Sequence, residues 1–223
     1  NREFFGDEWS PGIDGDEHIY ILYSRGLGSS IAGYFSSADS VHPLVHEFSN
    51  AHEMFLFNAD NTFLGEEFTY GVLAHEFQHM IHWNQDLNET SWLNEGSSEL
   101  AAFLNGYDPG GFDWLYITDP DMQLNDWPND QDATTPHYGA GFLFMTYFLA
   151  FALTLVPAGH FAQTRGTRQL MVLGLALAAA GFAILAWRPD FSLVLLARAL
   201  SGVGQGMVFI GVQSYILAGA TPD

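Results

Sequence analysis

The stretch YGVLAHEFQHMIHWN, Tyr70 to Asn84, carries His75, Glu76 and His79 in the pattern H-E-x-x-H. Around it Phe68, Val72, Leu73, Phe77, Met80 and Ile81 recur at spacings of three and four, which predicts a helix from about Glu66 to Trp83. Residues four apart share a helix face, so His75 and His79 can offer ring nitrogens to one ion. Glu76, one step round, can reach a metal-bound water without being a ligand. Zinc held by nitrogen and oxygen groups lowers the pKa of its water to about 7, and a nearby carboxylate can take the released proton. The residues alone leave a second reading open, an amphipathic helix that happens to bear a histidine pair.

A catalytic zinc takes three protein ligands and keeps a fourth position open. The chain has no cysteine, so any metal falls to His, Asp or Glu. The next predicted helix, Trp92 to about Leu104 within TSWLNEGSSELAAFLNGY, supplies Asn94, Glu95 and Glu99. The pairs His46-Glu47 and His52-Glu53 lack helical spacing and are not read as a second metal site.

Charge divides the chain. Residues 1–149 hold 24 of the 26 acidic residues and only Arg2 and Arg25 as bases, whereas 150–223 hold four arginines against Asp190 and Asp223. The chain's net charge of -20 therefore arises wholly from the first part and argues against nucleic acid as a partner, since phosphate would be repelled. Residues 1–17 read as a solvated loop. HIYILYS (His18 to Ser24), SIAGYFS (Ser30 to Ser36) and EMFLFNADN (Glu53 to Asn61) read as short strands, and the segment from Asp108 to Pro136 as a long irregular loop. With Asn1 at one end and ATPD at the other, the chain reads as a fragment.

These motifs resemble the gluzincin zinc metallopeptidases. Trp92-Leu93-Asn94-Glu95-Gly96 looks like their W-L-N-E-G, and Asn94-Glu95-x-x-Ser98-Glu99 is similar to the N-E-x-x-S-D of thermolysin-like members. The resemblance implies an α+β, zincin-like domain that hydrolyses peptide bonds, as an endopeptidase, with Zn2+ as cofactor and a peptide or protein as substrate. It makes His75, His79 and Glu95 the metal ligands and Glu76 the general base. Glu99 and Asn94 would support the ligands from behind. Tyr138, in PHYGAGFLFMTYFL, resembles the tyrosine of a Y-x-x-G helix that stabilises the oxyanion, with His137 as substitute.

Past this part the character changes. Gly139 to Val156, Gln169 to Trp187 and Phe191 to Ala220 are apolar runs, the third broken only by Arg198. Runs of about 20 such residues match a hydrocarbon core of about 30 Å, so roughly three transmembrane helices are expected. VPAGHFAQTRGTRQLMVLG and LLARALSGVGQG resemble the loop after the second helix and the fourth helix of major facilitator transporters. Gly159, Arg165, Gly166 and Arg168 fit the loop pattern, Gln163 replaces its Asp, and Arg198 with Gly202 fits the helix pattern.

The expectation is thus a metallopeptidase-like domain over 1–149 and a transmembrane segment over 150–223. The alternative function is a non-catalytic fragment of a major facilitator transporter in a chimeric chain. Arg165 and Arg168 would lie in the cytoplasm by the positive-inside rule, leaving the peptidase part outside; without the apolar part it would be secreted. The two resemblances meet inside one helix, at about Leu149 to Phe151, and a chimeric reading frame or a membrane-tethered protease would each account for the junction.

Overall fold

MFLFN, Met54 to Asn58, is apolar at four successive positions and shows no alternation, the pattern of a strand covered on both faces. The computed structural model, which describes residues 1–108, 112–187 and 190–220, places it at the centre of a three-stranded sheet. The strands are β1 (Tyr20–Ser24), β2 (Gly33–Phe35) and β3 (Met54–Asn58), in the order β1-β3-β2. β1 runs parallel to β3, pairing Tyr20 with Met54 and Ser24 with Asn58. β2 runs antiparallel, pairing Phe35 with Phe55 and Gly33 with Phe57. Every residue of β3 is buried. Asn58 closes the strand: its side-chain amide donates to the Gly28 and Ile31 carbonyls at 2.7 and 2.8 Å, and its Oδ1 accepts from Asp60 N–H at 3.1 Å.

The helices are α1 (Arg2–Phe5), α2 (Glu67–Gln85), α3 (Ser91–Leu104), α4 (Phe112–Thr118), α5 (Gln131–Arg165), α6 (Thr167–Trp187) and α7 (Phe191–Ala220). α2 packs on the sheet through Val72, Leu73, Phe77 and Met80, which meet Phe55 and Phe57. The expected elements at 66–83 and 92–104 are therefore present. Two expectations differ. The opening segment holds a one-turn helix, tied down where Asn1 donates to the Ala74 carbonyl at 2.6 Å. The expected long loop is interrupted by α4 and by the early start of α5, because Phe112 and Trp127 both find the ring of Tyr138 to pack on.

Two units are distinguishable, Asn1–Phe112 with Gln123–Tyr138 and Asp113–Met122 with Gly139–Asp223. The second is mainly helical. Three helices have the length and composition to cross a membrane, Ala133–Arg165, Thr167–Trp187 and Phe191–Gly219. At 1.5 Å per residue the shortest spans about 31 Å, enough for a hydrocarbon core. The expected loop after Pro157 is absent. α5 runs through that proline, which removes a single backbone donor, and ends only where Gly166 turns with φ +92°. α7 begins under Asp190, whose Oδ1 accepts from Leu193 N–H at 3.1 Å.

Apolar helices gain nothing from hydrophobic burial in lipid and associate by close packing instead. Glycines make this possible here. A Cβ on Gly174 of α6 would stand 2.7 Å from the Gly204 carbonyl, and one on Gly204 of α7 would stand 2.5 Å from the Gly174 carbonyl. Both backbones would have to part. Gly219 has open space around it. Gly204→Leu is therefore expected to lower the thermal aggregation temperature of the detergent-solubilised chain by several degrees, while Gly219→Leu leaves it unchanged.

Candidate metal centre

The H-E-x-x-H turn lies in the middle of α2. Its spacing stacks the two imidazoles edge to face, with ring centroids 4.7 Å apart. Their Nε2 atoms are 3.0 Å from each other. From α3, Glu95 brings Oε2 to 3.1 Å from His75 Nε2 and 3.3 Å from His79 Nε2. Among the described residues, His75, His79 and Glu95 are the group whose ligand atoms converge closely enough for one ion. A tetrahedral ion with bonds of about 2.05 Å needs ligand atoms about 3.3 Å apart, so the triangle has the size a zinc site demands.

The atoms behind the triangle fix which ring nitrogens face it. His75 Nδ1 lies 3.0 Å from Glu99 Oε1, and His79 Nδ1 lies 3.0 Å from both Asn94 Oδ1 and Ser98 Oγ. A carboxylate and an amide carbonyl only accept, so both Nδ1 atoms carry the hydrogen and both Nε2 atoms point inward. Ser98, wholly buried, donates in turn to Gln78 Oε1 at 2.5 Å. Asn94 and Glu99 each lie beside one of the two imidazoles. Ser98 and Gln78 were not assigned a role, although Ser98 lies one helical turn after Asn94 and so on its face.

The electrostatics of the triangle favour a cation. Burial opposes charge on His75, but its hydrogen bonds to Glu95 and Glu99 outweigh that and hold the imidazole well above its ordinary value. His79 is likewise raised, burial being overcome by Glu95. Burial pushes the Glu95 carboxyl up, yet His79 and His75 together hold it far below the usual carboxylate range. Burial raises Glu99. Positive charge between these groups is thus stabilised, whether a proton or a metal supplies it.

Glu76 is buried beside the triangle, with Oε2 accepting from Phe35 N–H of β2 at 2.8 Å. A cavity of about 180 Å³ opens there, walled by Gly33, Val72, His75, Glu76, Phe112 and Tyr138. The Tyr138 ring lies 6.2 Å from that of His75. His137 is buried next to Trp127, with Nδ1 lacking a partner among the described residues, and does not line this cavity.

Comparison with known proteins bears on the other end of the chain. Residues 115–222 match the sequence model of the Major Facilitator Superfamily. No curated protein and no solved structure matches the chain. Together with the three membrane-length helices, the match supports a likeness of the C-terminal part to major facilitator proteins and association of the chain with a membrane. It also overturns the expectation of a zinc metallopeptidase. The helix meant to complete the peptidase site, with His137 and Tyr138, lies inside the stretch matched to a transporter family, and α5 continues unbroken into a membrane-length span. A peptide substrate, an extracytoplasmic peptidase and a zincin fold gain no support from it.

The Ser98 bonds join α2 to α3 in a place that water does not reach. Ser98→Ala would leave the Gln78 carbonyl oxygen and a share of the His79 N–H unsatisfied. It is expected to cost about 1–3 kcal/mol in chemical unfolding of the purified chain, followed by the near-ultraviolet signal of Trp83 and Trp92.

Proposed function

We propose that this chain serves as a non-catalytic, membrane-embedded fragment of a major-facilitator-type transporter. The observation that carries this reading is the family match over 115–222, coinciding with helices α5–α7. Their tight glycine contacts suit association in lipid, where packing rather than burial holds helices together. Arg165 and Arg168 flank the α5–α6 turn, and the positive-inside rule sets that turn in the cytoplasm. A segment of this size encloses no transport path, so its part is that of a piece within a larger bundle. Expressed in cells, the chain should remain in membranes after alkaline carbonate washing, and a cysteine at Gln163 should react with an impermeant maleimide only after the cytoplasmic face is opened. Release by carbonate would overturn the reading.

A second reading, for the unit that contains α2 and α3, is that His75, His79 and Glu95 hold one Zn2+. The triangle of ligand atoms at 3.0–3.3 Å favours it. Glu99 would fix the His75 ring, and Asn94 with Ser98 the His79 ring. Elemental analysis of the purified chain should then give about one zinc per chain, lost in Glu95→Gln or His79→Ala. Glu99→Gln should weaken zinc binding by about 10–100-fold. Equal metal content in wild type and Glu95→Gln would sink this reading.

A further inference from the structure

We infer that the loop Val41–Ser49 is a lipid-contacting tip that dips into the membrane interface. This rests on the proposed insertion of α5–α7, which keeps the rest of the chain within reach of a bilayer.

The tip is apolar and stays out of the fold. Leu44 is 91 %, Val45 78 % and Phe48 77 % exposed, a concentration of apolar surface unusual on a unit that faces only water. The exposure does not come from slack chain, because the base of the loop is locked. Buried Asp39 accepts through Oδ1 from the Asn50 backbone N–H at 2.9 Å and from its side-chain amide at 2.7 Å. Ser49 Oγ reaches the Asp39 and Val41 carbonyls at 3.1 and 2.5 Å, and His52 N–H donates to the Asp39 carbonyl at 3.1 Å. The loop is thus held open with its apolar side chains outward.

Its backbone is also prepared to leave water. Lipid charges heavily for an N–H without a partner. Across the tip, Pro43 has no N–H, Leu44 N–H donates to His42 Nδ1 at 3.1 Å, and Val45 and His46 N–H both donate to the His42 carbonyl at 2.7 and 3.2 Å. From Pro43 to His46, therefore, no backbone N–H needs water as its partner. No acidic residue lies between Asp39 and Glu47, although the first 149 residues carry 24 acids. Glu47 is the loop's one acidic residue, so His42 to His46 can approach headgroup phosphates with little repulsion although the unit as a whole is anionic. Leucine and phenylalanine are side chains that partition favourably into the interface. Such shallow insertion is weak alone and becomes effective as a second attachment beside an anchor.

The absence of cysteine makes the test clean. Single cysteines replacing Val45, Asn88 and Leu175 are labelled with an environment-sensitive fluorophore in the full chain, reconstituted in phosphatidylcholine vesicles with or without a spin-labelled lipid quencher. Leu175 lies exposed on α6 and reports insertion of the helices; Asn88 is exposed and polar. Position 45 should be quenched to within about twofold of position 175, and 88 should stay unquenched. Adding Leu44→Asp and Phe48→Asp should abolish quenching at 45 and leave 175 unchanged. Quenching at 175 with a water-like probe at 45 would overturn the inference alone. So would a probe at 45 shielded from water yet blind to the lipid quencher, which would mean that protein covers the tip. No quenching at 175 would overturn the membrane reading and the inference with it.

Discussion

A polar group taken out of water has to find a partner, and this constraint shapes both units of the chain. In the first, the imidazoles of His75 and His79 sit where little solvent reaches, and α3 exists in its register because Glu95, Glu99, Asn94 and Ser98 answer them. Moving α3 by one residue would turn all four away, since they lie on a stripe of one helix face. In the second unit the same constraint is met by the helices themselves, whose backbones pair internally and leave side chains free to be apolar. What differs is the solvent. Around α2 the polar groups are bonded across elements; in α7 Arg198 Nε and Ser201 Oγ are buried without a partner among the described residues, and close glycine contacts hold α6 to α7.

Much of this was legible in the residues because the signals are local and periodic. The apolar spacing of α2 and the long apolar runs each obey a rule that needs no knowledge of the rest. The spacing of His75 and His79, and the position of Glu95 and Glu99 one turn apart, likewise place four side chains by helix geometry. Less legible were features decided by distant partners. α4 and the first turns of α5 form because Phe112, Trp127 and Tyr138 meet, although their segment is rich in glycine, proline and aspartate. Pro157 reads as a stop in a soluble helix, yet apolar surroundings let α5 pass through it to Arg165. Ser98 was visible only as a letter in a motif, and its bond to Gln78 belongs to the packing of two helices.

The sequence motif and the family match answer different questions. H-E-x-x-H followed by Asn94-Glu95 fixes a geometry, and that geometry is present to within a few tenths of an ångström of what a tetrahedral ion requires. Geometry of ligands is not an activity. Hydrolysis further requires a base aimed at a bound water and donors aimed at the developing oxyanion. Glu76 already accepts a bond from Phe35, and Tyr138 lies in a helix that belongs to the transporter-like stretch. A binding site therefore remains a physical reading of these residues where a peptidase does not.

The junction carries the last consequence. α5 is one unbroken helix from Gln131 to Arg165, and the boundary between the units falls within it, between Tyr138 and Gly139. A helix that changes environment along its length must change the side chains it presents. Before the boundary, Thr134 and His137 are buried polar residues and Tyr138 packs against aromatic rings. After it, Ala140, Phe142 and Leu143 are buried and Phe148 and Leu153 lie exposed. Apolar residues on the outside are a fault in water and the normal condition in lipid. The exposed apolar side chains of α5–α7 and the soluble packing around α2 are thus two answers to the same backbone requirement, written in one continuous chain.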